Sequence, residues 1–185
     1  MSSTAVVDKL SDVVGVDGQQ FVVRRARVED LPAVVDLLAA VAGEGRWIGA
    51  EGPVDRADRL ARLRGALGEE SQALYVATAA EQVIGELGLK LQLYGVAELS
   101  MLVATRWRSR GVGSALLAAG VEWARKAGAH KVGLQVWPHN AVARALYRKF
   151  GFIEEGVLRR HYRRRNGEIW DAVVMGLGLD VDAVH

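Results

Sequence analysis

The sequence predicts a mixed α/β (α+β) domain on three grounds. Extended apolar runs and helix-period stripes follow one another as strand, helix, helix, three strands, helix, strand, helix and a closing hairpin, the order of a mixed sheet with helices on it. Half of the 185 residues are hydrophobic and a quarter charged, which suits one globular unit with a sizeable core. Glycines at 68, 128 and 151 punctuate the ends of the helical stretches.

The first strand is FVVRRA, from Phe21, and Asp30 is expected to cap the helix LPAVVDLLAAVA, with Pro32 tolerated in its first turn. GEGRWIGAEGP is a glycine-rich loop, and DRADRLARLRGAL sets Leu60, Leu63 and Leu67 at helical spacing before Gly68. ALYVATA and QVIGELGLKLQL form an antiparallel pair turning at Ala80 and Glu81; Val83, Leu87, Leu89, Leu91 and Leu93 fall on one face of the second strand. ELSMLVA is a further strand. After it a helix begins at about Ser114, carries Leu116, Leu117, Gly120, Val121 and Ala124 along one stripe, and stops at Gly128. HKVGLQV is a strand, NAVARALYRKF a helix, and Asn166-Gly167 marks a hairpin between the last two extended runs. Residues 1–20, small and acidic with two glycines, are expected to be a flexible or loosely docked extension, 21–180 the domain, and 181–185 a tail.

Composition excludes several classes. Twenty-four basic and 22 acidic side chains leave a net charge of +2, a weak global field that favours neither nucleic acid nor membrane as partner. Without cysteine there is no disulfide, thiolate metal site or cysteine acyl-enzyme, and the four histidines lack metal-ligand spacing, so no metal is expected. Neither an apolar signal core nor a run of membrane-spanning length is visible, and the expectation is a soluble, cytoplasmic protein.

Arg108, Gly111 and Gly113 stand as R-x-x-G-x-G between a predicted strand and a predicted helix. A diphosphate needs several N–H donors aimed at one place, and a helix amino terminus supplies them with the positive end of its dipole. Arg106, Arg108 and Arg110 make the local field positive. On this spacing alone, a glycine-rich turn with solvated arginines competes with an anion site. A Walker turn would need a lysine that RSRGVGSA lacks, and a Rossmann fingerprint fails where Leu116 replaces its third glycine.

LVATRWRSRGVGSALL and NAVARALYRKFGF together resemble the two signature segments of the GNAT superfamily of acetyltransferases, in order and separation. The specific match covers residues 98–152, and in outline Phe21 to about Leu179. The resemblance implies a GNAT-like, mostly antiparallel central sheet with helices on both faces and a splayed pair of central strands. It implies acetyl-CoA as co-substrate, without metal. Backbone at Met101 and Val103 would meet the thioester and pantetheine arm. The turn from Arg108 through Ser109, Arg110, Gly111, Val112 and Gly113 to Ser114 would hold the pyrophosphate. Asn140 and Ala143 would flank the pantetheine, Tyr147 would stand near the sulfur as general acid, and Arg148 would reach toward the adenosine. Where ribosomal-protein alanine acetyltransferases have a catalytic glutamate this chain has Gln135, so Glu98 is the first substitute base and Glu86 the second; a solvated or structural carboxylate competes for each.

Trp47 and Glu51 lie on the loop where this fold builds its acceptor pocket. Their competing reading is packing at the core edge. The basic run from Arg159 to Arg165 reads as a solvated hairpin in preference to an RNA contact. The expected activity is direct acetyl transfer to a primary amine of a small molecule, amino acid or peptide N-terminus, with a homodimer left open. A non-catalytic CoA- or RNA-binding module of the same fold is the alternative.

Overall fold

The computed structural model describes residues 11–14 and 18–179. Among the described residues eight strands form one sheet in the order β1-β2-β3-β4-β5-β6-β8-β7. They are β1 (Ser11–Val14), β2 (Gln20–Arg25), β3 (Gln72–Ala79), β4 (Gln82–Leu91), β5 (Val96–Val103), β6 (Lys131–Val136), β7 (Ile153–Arg163) and β8 (Ile169–Gly178). The helices are α1 (Leu31–Gly43), α2 (Arg56–Leu67), α3 (Val112–Lys126) and α4 (Ala141–Lys149). Every neighbouring pair is antiparallel except β5 and β6.

Local chemistry accounts for most joints. Ala80 and Glu81 both take positive φ, 45° and 65°, as a two-residue hairpin loop requires to match the strand twist. The next strand departs from its expected alternation: Leu93 is fully exposed, because Gln92–Gly95 is a turn closed by Gly95 N–H donating to the Gln92 carbonyl at 2.9 Å. Asp30 does not cap α1 forward. Its carboxylate accepts instead from Arg27 N–H at 2.7 Å and from the Arg24 guanidinium at 2.6 and 2.8 Å, tying the helix entry back to β2.

Register places side chains on two faces. Leu87 and Met101 are paired, and with Tyr75 they face α3, in a core that includes Phe21, Leu116, Leu117 and Phe152. On the other face Leu74 and Val76 pack under Leu31, Val34 and Val35 of α1 and Leu63 of α2. The layers are therefore helix, sheet and helix. A Cβ at Gly120 would fall 2.8 Å from Leu87 Cδ2, so this glycine lets α3 lie close on β4 and fixes the height of its amino terminus above the sheet.

The sequence reading had no strand before Phe21, whereas Ser11–Val14 pairs with β2 from Ser11↔Val23 to Val14↔Gln20. An edge strand leaves N–H and C=O groups unpaired, and even a four-residue segment can take them up. The remainder of the expected extension, 1–10 and 15–17, and the expected tail lie outside the described residues.

The two middle strands splay apart as expected. β5 and β6 pair only from Val96↔Lys131 to Glu98↔Gly133. Beyond that β5 stays with β4 as far as Val103, while β6 stays with β8 through Val136. Each strand follows the twist of its outer neighbour, and a gap opens between them.

Candidate active site

The gap between β5 and β6 continues into a cleft of about 970 Å³. Along one wall, Ala104 N–H donates to the Ile84 carbonyl of β4 at 2.8 Å. Strand groups alternate in direction, so the peptide groups of Met101 and Val103 face the gap, and Arg108 Nε indeed reaches the Val103 carbonyl at 3.1 Å. At the upper end α3 begins with Gly111 as its N-cap at φ 92°. The next three N–H groups have no intrahelical acceptor and carry the positive end of the dipole.

The turn divides its labour. Arg108, Ser109, Gly111, Gly113 and Ser114 line the cleft; Arg110 and Val112 do not. Val112 is fully buried under α3, so only its backbone can meet a ligand. A Cβ on Gly111 would meet nothing within 4 Å, which leaves the space beside it to a ligand. One on Gly113 would press on Leu146 Cδ2 at 3.1 Å, so this second glycine also serves the packing of α3 against α4.

Opposite, Asn140 caps α4, its Oδ1 accepting from Ala143 N–H at 3.2 Å, and both residues line the cleft with Tyr147. Tyr147 is 6% exposed and packs on Phe152; burial raises its phenol to about 12, so it stays protonated at neutral pH. Arg148 is not on the cleft wall; with Arg144 it pairs with Glu154.

The expected acceptor residues separate. Trp47 lines the cleft, with the guanidiniums of Arg46 and Arg108 over its ring at 4.8 and 5.5 Å. Glu51 does not: its carboxylate accepts from Arg165 N–H at 3.1 Å and pairs with Arg164 Nε at 3.3 Å. The basic run is not wholly solvated. Arg164 is 4% exposed, lies over the rings of Trp137 and Trp170, and donates to the Gly49 carbonyl at 3.1 Å. Tyr162, whose hydroxyl donates to Gln135 Oε1 at 2.5 Å, and Trp137, stacked edge-on to it, join the cleft wall. Sequence reasoning missed both: Tyr162 falls within the basic run, and Trp137 follows the end of β6 with no motif to mark it.

The two carboxylates share one face of the sheet, since Glu86 sits opposite Leu102 and Glu98 opposite Lys90. Glu98 lines the cleft, is exposed, and accepts from Gln92 Nε2 at 2.7 Å. Glu86 is 3% exposed, and burial raises its carboxyl to about 7, against the opposing pull of Arg59. Among the described residues no group of three or more histidine or acidic side chains is placed to hold a metal, and no helix is long and apolar enough to cross a membrane.

Parted strands, exposed peptide groups and a glycine-capped helix start together form one extended cleft. The model of the Acetyltransferase (GNAT) family matches residues 42–152, and the chain belongs to that family. It is 37% identical over 101 residues to the L-amino acid N-acetyltransferase AaaT of Escherichia coli, a match covering 50% of this chain and 60% of that protein. Over 163 residues, 85% of this chain and 94% of the relative, it is 29% identical to a Pseudomonas aeruginosa L-methionine sulfoximine/L-methionine sulfone acetyltransferase. Among solved structures, a ribosomal-protein-alanine N-acetyltransferase from Brucella melitensis superposes with a TM-score of 0.78 at 28% identity, covering 85% of this chain and 99% of its own. An acetyltransferase from Salmonella typhimurium, solved with its cofactor acetyl-CoA, gives 0.79 at 21% identity over 88% and 96%.

Proposed function

We propose that this chain transfers the acetyl group of acetyl-CoA directly to the primary amine of a small, amino-acid-like acceptor within one ternary complex. The observation that carries the reading is the cleft between β5 and β6, with unpaired peptide groups along its wall and the α3 amino terminus at its head. The names of the two relatives support an amino-acid-like acceptor, and the solved acetyl-CoA complex of the Salmonella protein supports the co-substrate.

Each step has a group to perform it. N–H groups at Val112, Gly113 and Ser114 suit the diphosphate. Met101 and Val103 offer peptide donors to an extended amide-bearing arm and to the oxyanion that forms when an amine adds to the thioester carbonyl. On this reading the Tyr147 phenol, which lines the cleft and stays protonated, gives its proton to the leaving thiolate. Of the two carboxylates Glu86 suits the base better than Glu98: with a pKa of about 7 it is poised to exchange a proton at neutral pH, whereas Glu98 is exposed and bonded to Gln92.

The test is release of free CoA thiol from acetyl-CoA across free amino acids, polyamines, aminoglycosides and peptides with free amino termini. Release is expected with free amino acids; none with any amine would overturn the proposal.

A further inference from the structure

A second, smaller cavity of about 280 Å³ opens on the α1/α2 side of the sheet. It shares Ser100, Met101 and Leu102 with the wall of the main cleft, so the two spaces meet along β5. Among the described residues that line it, the charged ones are Glu86 and Arg59. They are not a finished pair. Arg59 Nη2 stands 3.9 Å from Glu86 Oε1, wider than a hydrogen bond. Glu86 Oε2 and Arg59 Nε are both buried and have no hydrogen-bond partner among the described residues. Buried polar groups are almost always satisfied, and leaving a charged one unmatched is costly. Two such groups at one cavity wall are therefore a site waiting for complementary charges.

The charges required are an ammonium for the carboxylate and a carboxylate for the guanidinium, close together. An α-amino acid zwitterion carries both on one carbon. Space is also provided. Leu38, Ile48 and Leu102 complete the cavity with aliphatic surface.

We infer that Glu86 and Arg59 form the head-group site of a free α-amino acid acceptor, Glu86 engaging the α-ammonium and Arg59 the α-carboxylate, with an apolar side chain against the aliphatic wall. This rests on the acetyl-transfer reading and narrows it, because an amino-acid amide or an internal peptide bond offers Arg59 no carboxylate. The chemistry balances. The ammonium gives one proton to Glu86; the freed lone pair forms the C–N bond as the C–S bond breaks; a second proton leaves the nitrogen and one is delivered to the thiolate; Glu86 then returns its proton to solvent.

The experiment is calorimetric titration of the CoA-bound protein with L-leucine and with L-leucinamide, alongside thiol-release rates for both from acetyl-CoA. Wild type is expected to favour leucine by about 100-fold in affinity and in kcat/KM, the scale of one unpaired charged hydrogen bond. Arg59→Met should bring that ratio near one, Arg59→Lys should retain part of it, and Glu86→Gln should weaken both ligands while leaving acetyl-CoA binding unchanged. A purely structural pair would not change the acid-to-amide ratio. Equal handling of leucine and leucinamide by wild type, or an intact preference in Arg59→Met, would overturn the inference. Failure of every amine to release thiol would sink the acetyl-transfer reading instead, and the leucine-to-leucinamide affinity ratio would still decide the head-group site.

Discussion

Arg108 donates to both carboxylate oxygens of Glu44, from Nη2 at 2.7 Å and from Nη1 at 2.8 Å. The pair joins the residue that follows α1 to the turn that precedes α3, so the loop after α1 and the proposed diphosphate turn share one fastening. The Arg108 hydrogen bond, helped by one from Thr105, holds the Glu44 carboxyl below the usual carboxylate range despite partial burial. Such a depressed group adds stability above its unfolded pKa and loses it as pH falls through the folded one. Glu44→Gln should therefore lower stability at pH 7 by about 1 kcal/mol, as for partly exposed pairs, and should narrow its gap to wild type on acidification. Thermal melts at pH 7 and pH 3.5 check both signs.

Gly111 holds φ at 92° beside space that no protein atom fills. Gly111→Val should lose the rise in Tm that acetyl-CoA gives wild type, because its side chain strains the N-cap and enters that space. Differential scanning with and without acetyl-CoA measures it; a normal shift would remove the turn as the diphosphate site.

Tyr147→Phe should keep acetyl-CoA binding and lower turnover by roughly 10²–10⁴-fold, the range for loss of a general acid. The decisive measurement is the steady-state rate under conditions where chemistry limits; an unchanged rate would eliminate the phenol.

Glu86 has its folded pKa raised from 4.5 to about 7, so the protonated form is favoured in the native state. Its contribution is full below the unfolded pKa and is lost as pH rises through about 7. Glu86→Gln should thus be nearly neutral at pH 4.5 and more stable than wild type at pH 8, by up to roughly 3 kcal/mol at 1.36 kcal/mol per pH unit. Denaturant titrations at the two pH values test the sign, and a variant less stable at pH 8 would contradict it.

The turn before α3 and the cap of α4 were legible in the sequence because their geometry is local. Gly111 begins a helix and Asn140 caps another, each followed by its own helical stripe, and a few neighbouring residues specify both. Glu86 shows the limit. Strand alternation places it opposite Leu87 and Leu89 in β4, on the correct face, yet only the docking of α1 and α2 turns that polar face into a buried one. Glu51 and Arg164 mislead for the same reason: a loop acid expected in the acceptor pocket and an arginine of a run expected to be solvated meet each other only when the hairpin folds back on the loop. Leu93 fitted the apolar parity of its strand, which carries no mark of where a turn will cut it short.

The Arg164 contacts with the carbonyls of Ile48 and Gly49 span 116 and 115 residues of sequence. Closing so long a stretch of chain has an entropic cost that the contacts of α3 with the neighbouring β4 and β5 do not bear. The loop around residues 48–52 is therefore expected to open more readily than the buried face of α3. Amide hydrogen exchange should register the difference as faster exchange across residues 48–52 than through the buried face of α3. On the proposed reading, an acceptor would enter by brief local opening there while the turn from Arg108 to Ser114 keeps its shape.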